Sequence, residues 1–289
     1  MPSETMDLQQ AYAHCLTIAQ NHYENFPVAS KLLDKQLRLP VAAVYAFARQ
    51  ADDFADEGDL AQDTRLELLE GYARELEQLQ LPDHAASENP VFIALRDVIE
   101  NYHVPVALFT DLLDAFTQDV TKTRYENFNQ VLDYCQKSAN PVGRILLYLN
   151  NNVSEKNLAC SDAICSGLQL INFYQDIHQD LSENDRLYLP LDELQQFGVT
   201  IEQLKQRKNT FQTQQLMQLQ LQRARRLYET GKPLCFELSG RFALEIRAIY
   251  TGGLVILNKL QQLTDCIYMR PRLSRLDKFK ILLGAIFFR

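Results

Sequence analysis

Gln169-Leu-Ile-Asn-Phe-Tyr-Gln-Asp-Ile-His-Gln-Asp180 is the stretch whose reading decides the fold. Gln169, Asn172, Asp176 and Asp180 follow at steps of three, four and four, so on a helix they form one stripe. At roughly 1.5 Å rise per residue the stripe is about 16 Å long. Leu170, Ile171, Phe173 and Ile177 fill the positions between, as expected of a helix packed on most sides. A carboxylate on such a helix is costly unless it is hydrogen-bonded, paired or bound to a cation.

The stretch Val41-Ala-Ala-Val-Tyr-Ala-Phe-Ala-Arg-Gln-Ala-Asp-Asp-Phe-Ala-Asp56 repeats the arrangement, with Tyr45, Arg49, Asp52 and Asp56 at steps of four, three and four. An aspartate pair one turn apart is usually solvated surface charge. Two such pairs in apolar helices, one with Arg49 and the other with Asn172 and Gln169, favour a functional reading. Magnesium takes hard oxygen ligands, commonly one or two carboxylates plus substrate phosphates. The pattern therefore suggests a diphosphate held by Mg2+ between two helices.

Around these stretches the chain reads as all-α. Spacings of three and four recur, strict alternation is missing, and 10 Gly and 10 Pro in 289 residues give little turn chemistry for an all-β protein. Helices are expected over 5–22, from Pro40 to just before Gly58, and over 62–80, 90–102 and 105–120. A helix over 127–150 is kinked or divided at Asn140-Pro141, and others follow over 155–181, 200–230, 239–265 and 273–287. With no repeat, linker or low-complexity boundary, one domain over 1–289 is the simplest account.

Six cysteines without a C-x-x-C pair read as reduced thiols of a cytoplasmic protein. The first residues lack a signal-peptide pattern, and no apolar run is long enough to span a bilayer. The formal charge of −8 is unevenly spread. Residues 1–200 carry 31 acidic and 13 basic side chains, whereas residues 201–289 carry 6 and 16. Such a chain is a poor general binder of nucleic acid. Its basic end either neutralises the acidic helices or meets an anionic membrane. In the tail, Leu273, Leu276, Phe279 and Leu283 share a face expected to dock on the core. A di-iron bundle is disfavoured, because only Glu100 and His103 form a Glu-x-x-His where two are needed.

With both aspartate motifs placed, the sequence resembles the squalene/phytoene synthase family of isoprenoid synthases over nearly its whole length. The carrying motifs are Tyr45-x-x-x-Arg49-x-x-Asp52-x-x-x-Asp56, Gln169-x-x-Asn172-x-x-x-Asp176-x-x-x-Asp180 and Arg186-x-Tyr188-x-Pro190. Within the family the likeness is nearest to the bacterial hydroxysqualene synthases of the hopanoid pathway, carried by His22-Tyr-Glu-Asn-Phe-Pro-Val-Ala-Ser30, Ala51-Asp-Asp-Phe-Ala-Asp-Glu-Gly-Asp59 and Ser138-Ala-Asn-Pro-Val-Gly-Arg144.

The resemblance implies a single-domain helical bundle around a deep apolar cavity, with Asp52, Asp56, Asp176 and Asp180, helped by Asn172, holding Mg2+ on a prenyl diphosphate. Arg49 and Arg186 would neutralise the leaving group, with Tyr134 acting beside it. His22, Tyr45, Gln169, Tyr188 and Tyr250 would be further substrate-binding positions. The implied substrate is presqualene diphosphate, captured by water after ionisation to give hydroxysqualene. The alternative is head-to-head condensation of farnesyl diphosphate to presqualene diphosphate, squalene or dehydrosqualene. The basic end adds the expectation of peripheral contact with the inner membrane face, and neighbouring pathway enzymes are expected partners.

Three departures bear on the reaction. Glu24 and Asn25 stand where the family has a lysine and a hydroxyl residue, consistent with a substrate carrying one diphosphate. Lys137-Ser-Ala-Asn140-Pro141 replaces a small glycine-rich segment, so Asn140 either positions a water or caps the helix. Asn184-Asp185-Arg186 stands where the family often has Arg-Gly-Arg, which puts one diphosphate contact in doubt.

Overall fold

Asparagine, serine and threonine open the helices where their side chains accept from the orphan amides of a first turn. Asn89 accepts from the Val91 amide, Asn127 from Gln130 and Ser154 from Asn157. Thr200, Thr210 and Ser274 form reciprocal capping boxes with Gln203, Thr213 and Asp277. The computed structural model of the chain describes residues 7–21, 34–81, 87–263 and 268–288. Among them the regular elements are helices, with no strand.

Two compact units result, one of Met1–Thr121 with Arg144–Val153, the other of Lys122–Gly143 with Ser154–Arg289. The first contains α1 (Leu8–Asn21), α2 (Arg38–Asp56), α3 (Gln62–Gln78), α4 (Pro90–Tyr102) and α5 (Val106–Thr121). α2 packs against α1, α3, α4 and α5. Its Phe47 lies within 5.0–5.9 Å, centroid to centroid, of Tyr72, Phe92 and Phe109. Alanines at 42, 43, 46, 51 and 55 are buried and let neighbouring helices approach.

The second unit takes α6 (Phe128–Ser138), α8 (Glu155–Glu183), α9 (Leu191–Phe197), α10 (Ile201–Lys205), α11 (Phe211–Thr230), α12 (Leu234–Glu237), α13 (Gly240–Gln262) and α14 (Arg275–Ile286). α7 (Asn140–Leu149) follows α6 after a break at Ala139, so Asn140-Pro141 divides the expected helix in two. α8 packs on α11, α13 and α6. Glu193 of α9 accepts from Gln220 and pairs with Arg223 at 2.6 Å, while Tyr174 of α8 donates to Gln220 at 3.0 Å. This network joins α8, α9 and α11.

Two expectations fail here. The single helix over 200–230 is α10 and α11, because Arg207 takes a left-handed φ of 53° and Thr210 starts a new helix with its own capping box. The tail helix docks through the opposite face from the one expected. Ile281 and Ala285 of α14 are buried, whereas Leu276, Phe279 and Leu283 are exposed. Gly252 of α13 approaches Ile281 and Gly284 approaches Thr251, a contact that only the Ile281 side can make.

One half-buried carboxyl has an unpartnered oxygen. Glu245 of α13 is pushed up to about 7 by burial alone, and its Oε2 has no hydrogen-bond partner among the described residues. A carboxyl raised on folding opposes folding increasingly as pH climbs through its unfolded value of about 4.3. That penalty is complete only above the folded value. Glu245→Gln should therefore stabilise the protein by up to about 3 kcal/mol near pH 8, by about 1 kcal/mol near pH 5 and by little below about pH 4. Thermal melts of both proteins across that range check it.

Candidate active site

Tyr45, Arg49 and Asp52 lie half-buried along α2, while Asp56 is exposed at its last turn. Arg49 bridges the acidic face: Nη1 donates to Asp52 Oδ2 at 3.2 Å, Nη2 lies 2.6 Å from Asp53 Oδ1, and it also reaches Glu57. Three surrounding carboxylates hold its guanidinium charged against the cost of burial. Asp53 and Glu57 are additions to the sequence reading. The helix end beside them is fixed by Arg65 of α3, which donates to the carbonyls of Phe54, Glu57, Gly58 and Leu60. Phe54 contributes a carbonyl of the last helical turn and the others lie in the chain just beyond it, so Arg65 fixes the turn that follows Asp56.

On α8 the stripe is as the spacing demands. Gln169, Asn172, Asp176 and Asp180 are all half-buried, while Leu170, Ile171, Phe173, Tyr174, Ile177 and Leu181 are buried. Burial raises Asp176. Burial first, and then the charge of Asp176, push Asp180 up to about 7. Two carboxyls crowded in this way are a charge deficit waiting for a cation.

Part of that deficit is met by Arg270. Its Nη2 donates to Asp176 Oδ2 at 2.9 Å and its Nε lies 2.5 Å from Oδ1, a charge-assisted pair. Gln175 bonds the Pro271 carbonyl at 2.5 Å, Tyr268 donates to the Lys208 carbonyl at 3.0 Å, and Lys259 bonds the Arg272 carbonyl at 2.9 Å. These bonds anchor the segment carrying Arg270. Sequence reasoning missed this residue; its only signal was the basic excess after residue 200, and neutralising an acidic helix is one use that excess finds.

An aromatic group stands in the same unit as α8. Phe173 and Tyr188 stack at 3.6 Å and 6°, and Tyr134 lies 5.6 Å from Tyr188 and 6.0 Å from Phe173. Tyr125, not singled out from the sequence, adds a ring 5.5 Å from Tyr188. Tyr250 is placed differently: it stacks on Tyr228 of α11 at 4.9 Å and meets Phe288 at 5.9 Å. Asn140 is 4% exposed, and its Oδ1 accepts from Ser166 Oγ of α8 at 2.8 Å.

Arg186, whose charge lowers Asp180, follows directly on the turn that ends α8. Asp185 there is left-handed at φ 48°, a conformation tolerated better by Asp than by most residues. Arg124 at 2.9 Å and Lys205 at 2.7 Å pair with it and hold its carboxyl below the usual range. Asp185 is thus spoken for by two cations. His22 lies outside the described residues.

The donor set suits magnesium. Asp176 and Asp180 offer hard oxygens in a partly dry setting, with the Asn172 amide on the same stripe. Among the described residues no three His, Cys, Asp or Glu side chains form a preassembled metal cage. Carboxylate pairs that share a cation with a substrate phosphate need no such cage.

The squalene/phytoene synthase family model matches residues 19–277. The hydroxysqualene synthase of Sinorhizobium fredii is 34% identical over 93% of this chain and 89% of its own. That of Rhodopseudomonas palustris is 35% identical over 86% and 84%. The crystal structure of squalene synthase HpnC from Alicyclobacillus acidocaldarius superposes with a TM-score of 0.82 at 32% identity, covering 89% of this chain and 95% of that one. With its two aspartate stripes set on helices of this fold, the chain belongs to the squalene/phytoene synthase family.

Proposed function

We propose that this chain ionises presqualene diphosphate, lets the carbon skeleton rearrange and captures the cation with water as hydroxysqualene. The observation that carries the reading is the α8 stripe, where two half-buried carboxyls with raised pKa face an anchored arginine. The relatives named hydroxysqualene synthase supply the substrate class.

Asp52 and Asp56 on one helix, and Asp176 and Asp180 with Asn172 on the other, would hold Mg2+. Magnesium, when bound, concentrates positive charge on the leaving diphosphate. Arg49, Arg186 and Arg270 add charge fixed in place before the bond breaks. Arg49 must exchange an aspartate for phosphate oxygen to do so. Tyr45 and Gln169, each two turns before the first aspartate of its stripe, orient the diphosphate, and Tyr134 stands by the departing oxygen. The clustered rings of Phe173, Tyr188 and Tyr134 offer aromatic faces that stabilise positive charge. His22 and Tyr250 remain proposed contacts along the hydrocarbon. The chain passes between the two units after residues 121, 143 and 153, which supports their working as one domain.

The structural relative named squalene synthase favours a second reading, full synthesis from farnesyl diphosphate. Supplying purified protein and magnesium with presqualene or farnesyl diphosphate distinguishes them. Hydroxysqualene from presqualene diphosphate, and no product from farnesyl diphosphate, is expected; turnover of farnesyl diphosphate alone would overturn the choice.

Asn140 is the proposed water-positioning residue, its amide oriented by Ser166. Asn140→Ala should alter the product mixture more than the turnover, and Ser166→Ala should alter it in the same direction. Identical mixtures in all three proteins would leave Asn140 as a packing residue. No described helix is long and apolar enough to cross a membrane. A cytoplasmic protein that meets the membrane and neighbouring pathway enzymes at its surface is the proposed setting.

A further inference from the structure

α14 docks on α13 through Ile281 and Ala285 and turns its other side outward. Leu276 is 72% exposed, Phe279 60%, Ile286 51% and Phe287 74%, with Leu283 beside them. At 3.6 residues per turn these five fall within roughly a 100° arc. Arg275 and Lys280 flank that arc on its two sides and are also exposed. The single acid of the helix, Asp277, is turned inward onto Lys259 at 2.6 Å. The apolar surface continues beyond the helix: Phe288 contacts the exposed Phe236 of α12 at 5.3 Å, and Lys232 lies over both rings.

A helix with apolar residues outward and cations along its edges has the pattern of one lying in a membrane interface. The charge matches an anionic headgroup layer, although the whole chain carries −8. Exposed contiguous apolar patches on a soluble domain mark a contact surface. We infer that the outer face of α14, with Phe236 and Phe288, seats the protein on an anionic lipid bilayer. The apolar side chains enter the acyl boundary while Arg275, Lys280 and Lys232 stay among the headgroups. The proposed C30 substrate gives this contact a purpose, but the contact itself is measured without substrate, so either claim can fail alone.

The test is flotation of the full chain with vesicles of phosphatidylcholine alone or with phosphatidylglycerol. Wild type should float with the anionic vesicles and be released by high salt. Phe279→Ser with Phe287→Ser should lower partitioning roughly a hundredfold, about tenfold for each aromatic anchor withdrawn from lipid. Arg275→Glu with Lys280→Glu should abolish the preference for anionic vesicles. Both double variants should melt as wild type does, because the replaced side chains are exposed. Failure of wild type to float, or flotation unchanged in the Phe variant, would overturn the inference. So would self-association abolished by the Phe variant in a protein that ignores vesicles, which would make a second copy the occupant.

Discussion

Asp176→Asn should leave the protein folded and lower its turnover by about two to three orders of magnitude, the loss typical of removing one preorganised electrostatic contact. Asparagine keeps the shape and can still accept from Arg270 Nη2. It removes the negative charge that a divalent cation needs. The fold should not suffer, because burial already raises the Asp176 carboxyl and a neutral amide relieves that cost. Asp52→Asn should behave alike. Its side chain is 41% exposed, and Arg49, which bonds to it, retains Asp53 and Glu57. Steady-state kinetics beside a thermal melt separates loss of chemistry from loss of fold. Near-normal turnover in either variant would count against both acidic stripes as cation holders.

Gly253→Ala and Gly252→Ala, adjacent on α13, should shift stability in opposite directions. A Cβ at 253 would stand 2.4 Å from the Tyr228 hydroxyl and 2.8 Å from Cζ, whereas one at 252 meets only Ile281 at 3.8 Å. Tyr228 has no room to give way. On its other side a Cβ at Gly167 of α8 would meet its Cα at 2.9 Å, and its hydroxyl is held by the carbonyls of Ile249 and Tyr250 at 3.2 Å. Overpacking a rigid core costs about 1–3 kcal/mol. Gly253→Ala and Gly167→Ala should each lower the melting temperature by several degrees, at about 2–4 °C per kcal/mol. Gly252→Ala gains helix propensity of up to about 1 kcal/mol and should hold or raise it. Equal effects at 252 and 253 would contradict the close approach of α13 to Tyr228.

What the sequence made legible follows from what is local. Helix positions announced themselves through apolar spacing and boundary residues, as at Pro40 and Gly58, and the aspartate stripes needed only the helical period. Arg270 was hidden because its partner is 94 residues away and no periodicity links them. The break at Arg207 was hidden because no glycine or proline stands between Thr200 and Thr210 to mark it. In the tail, Ile281 and Ala285 make a narrower stripe than Leu276, Phe279 and Leu283, so the larger apolar face looked like the docked one. Tyr134 and Tyr188 came from motif likeness, and only the fold supplied Phe173 and Tyr125 beside them.

The most direct test of the account is calorimetric binding of inorganic diphosphate, with and without magnesium, to wild type, Asp52→Asn and Asp176→Asn. Binding should require magnesium and weaken about tenfold or more in each variant, although the two residues lie on helices 124 positions apart in the chain. Magnesium-dependent affinity left intact by either substitution would contradict a single diphosphate shared by both acidic helices.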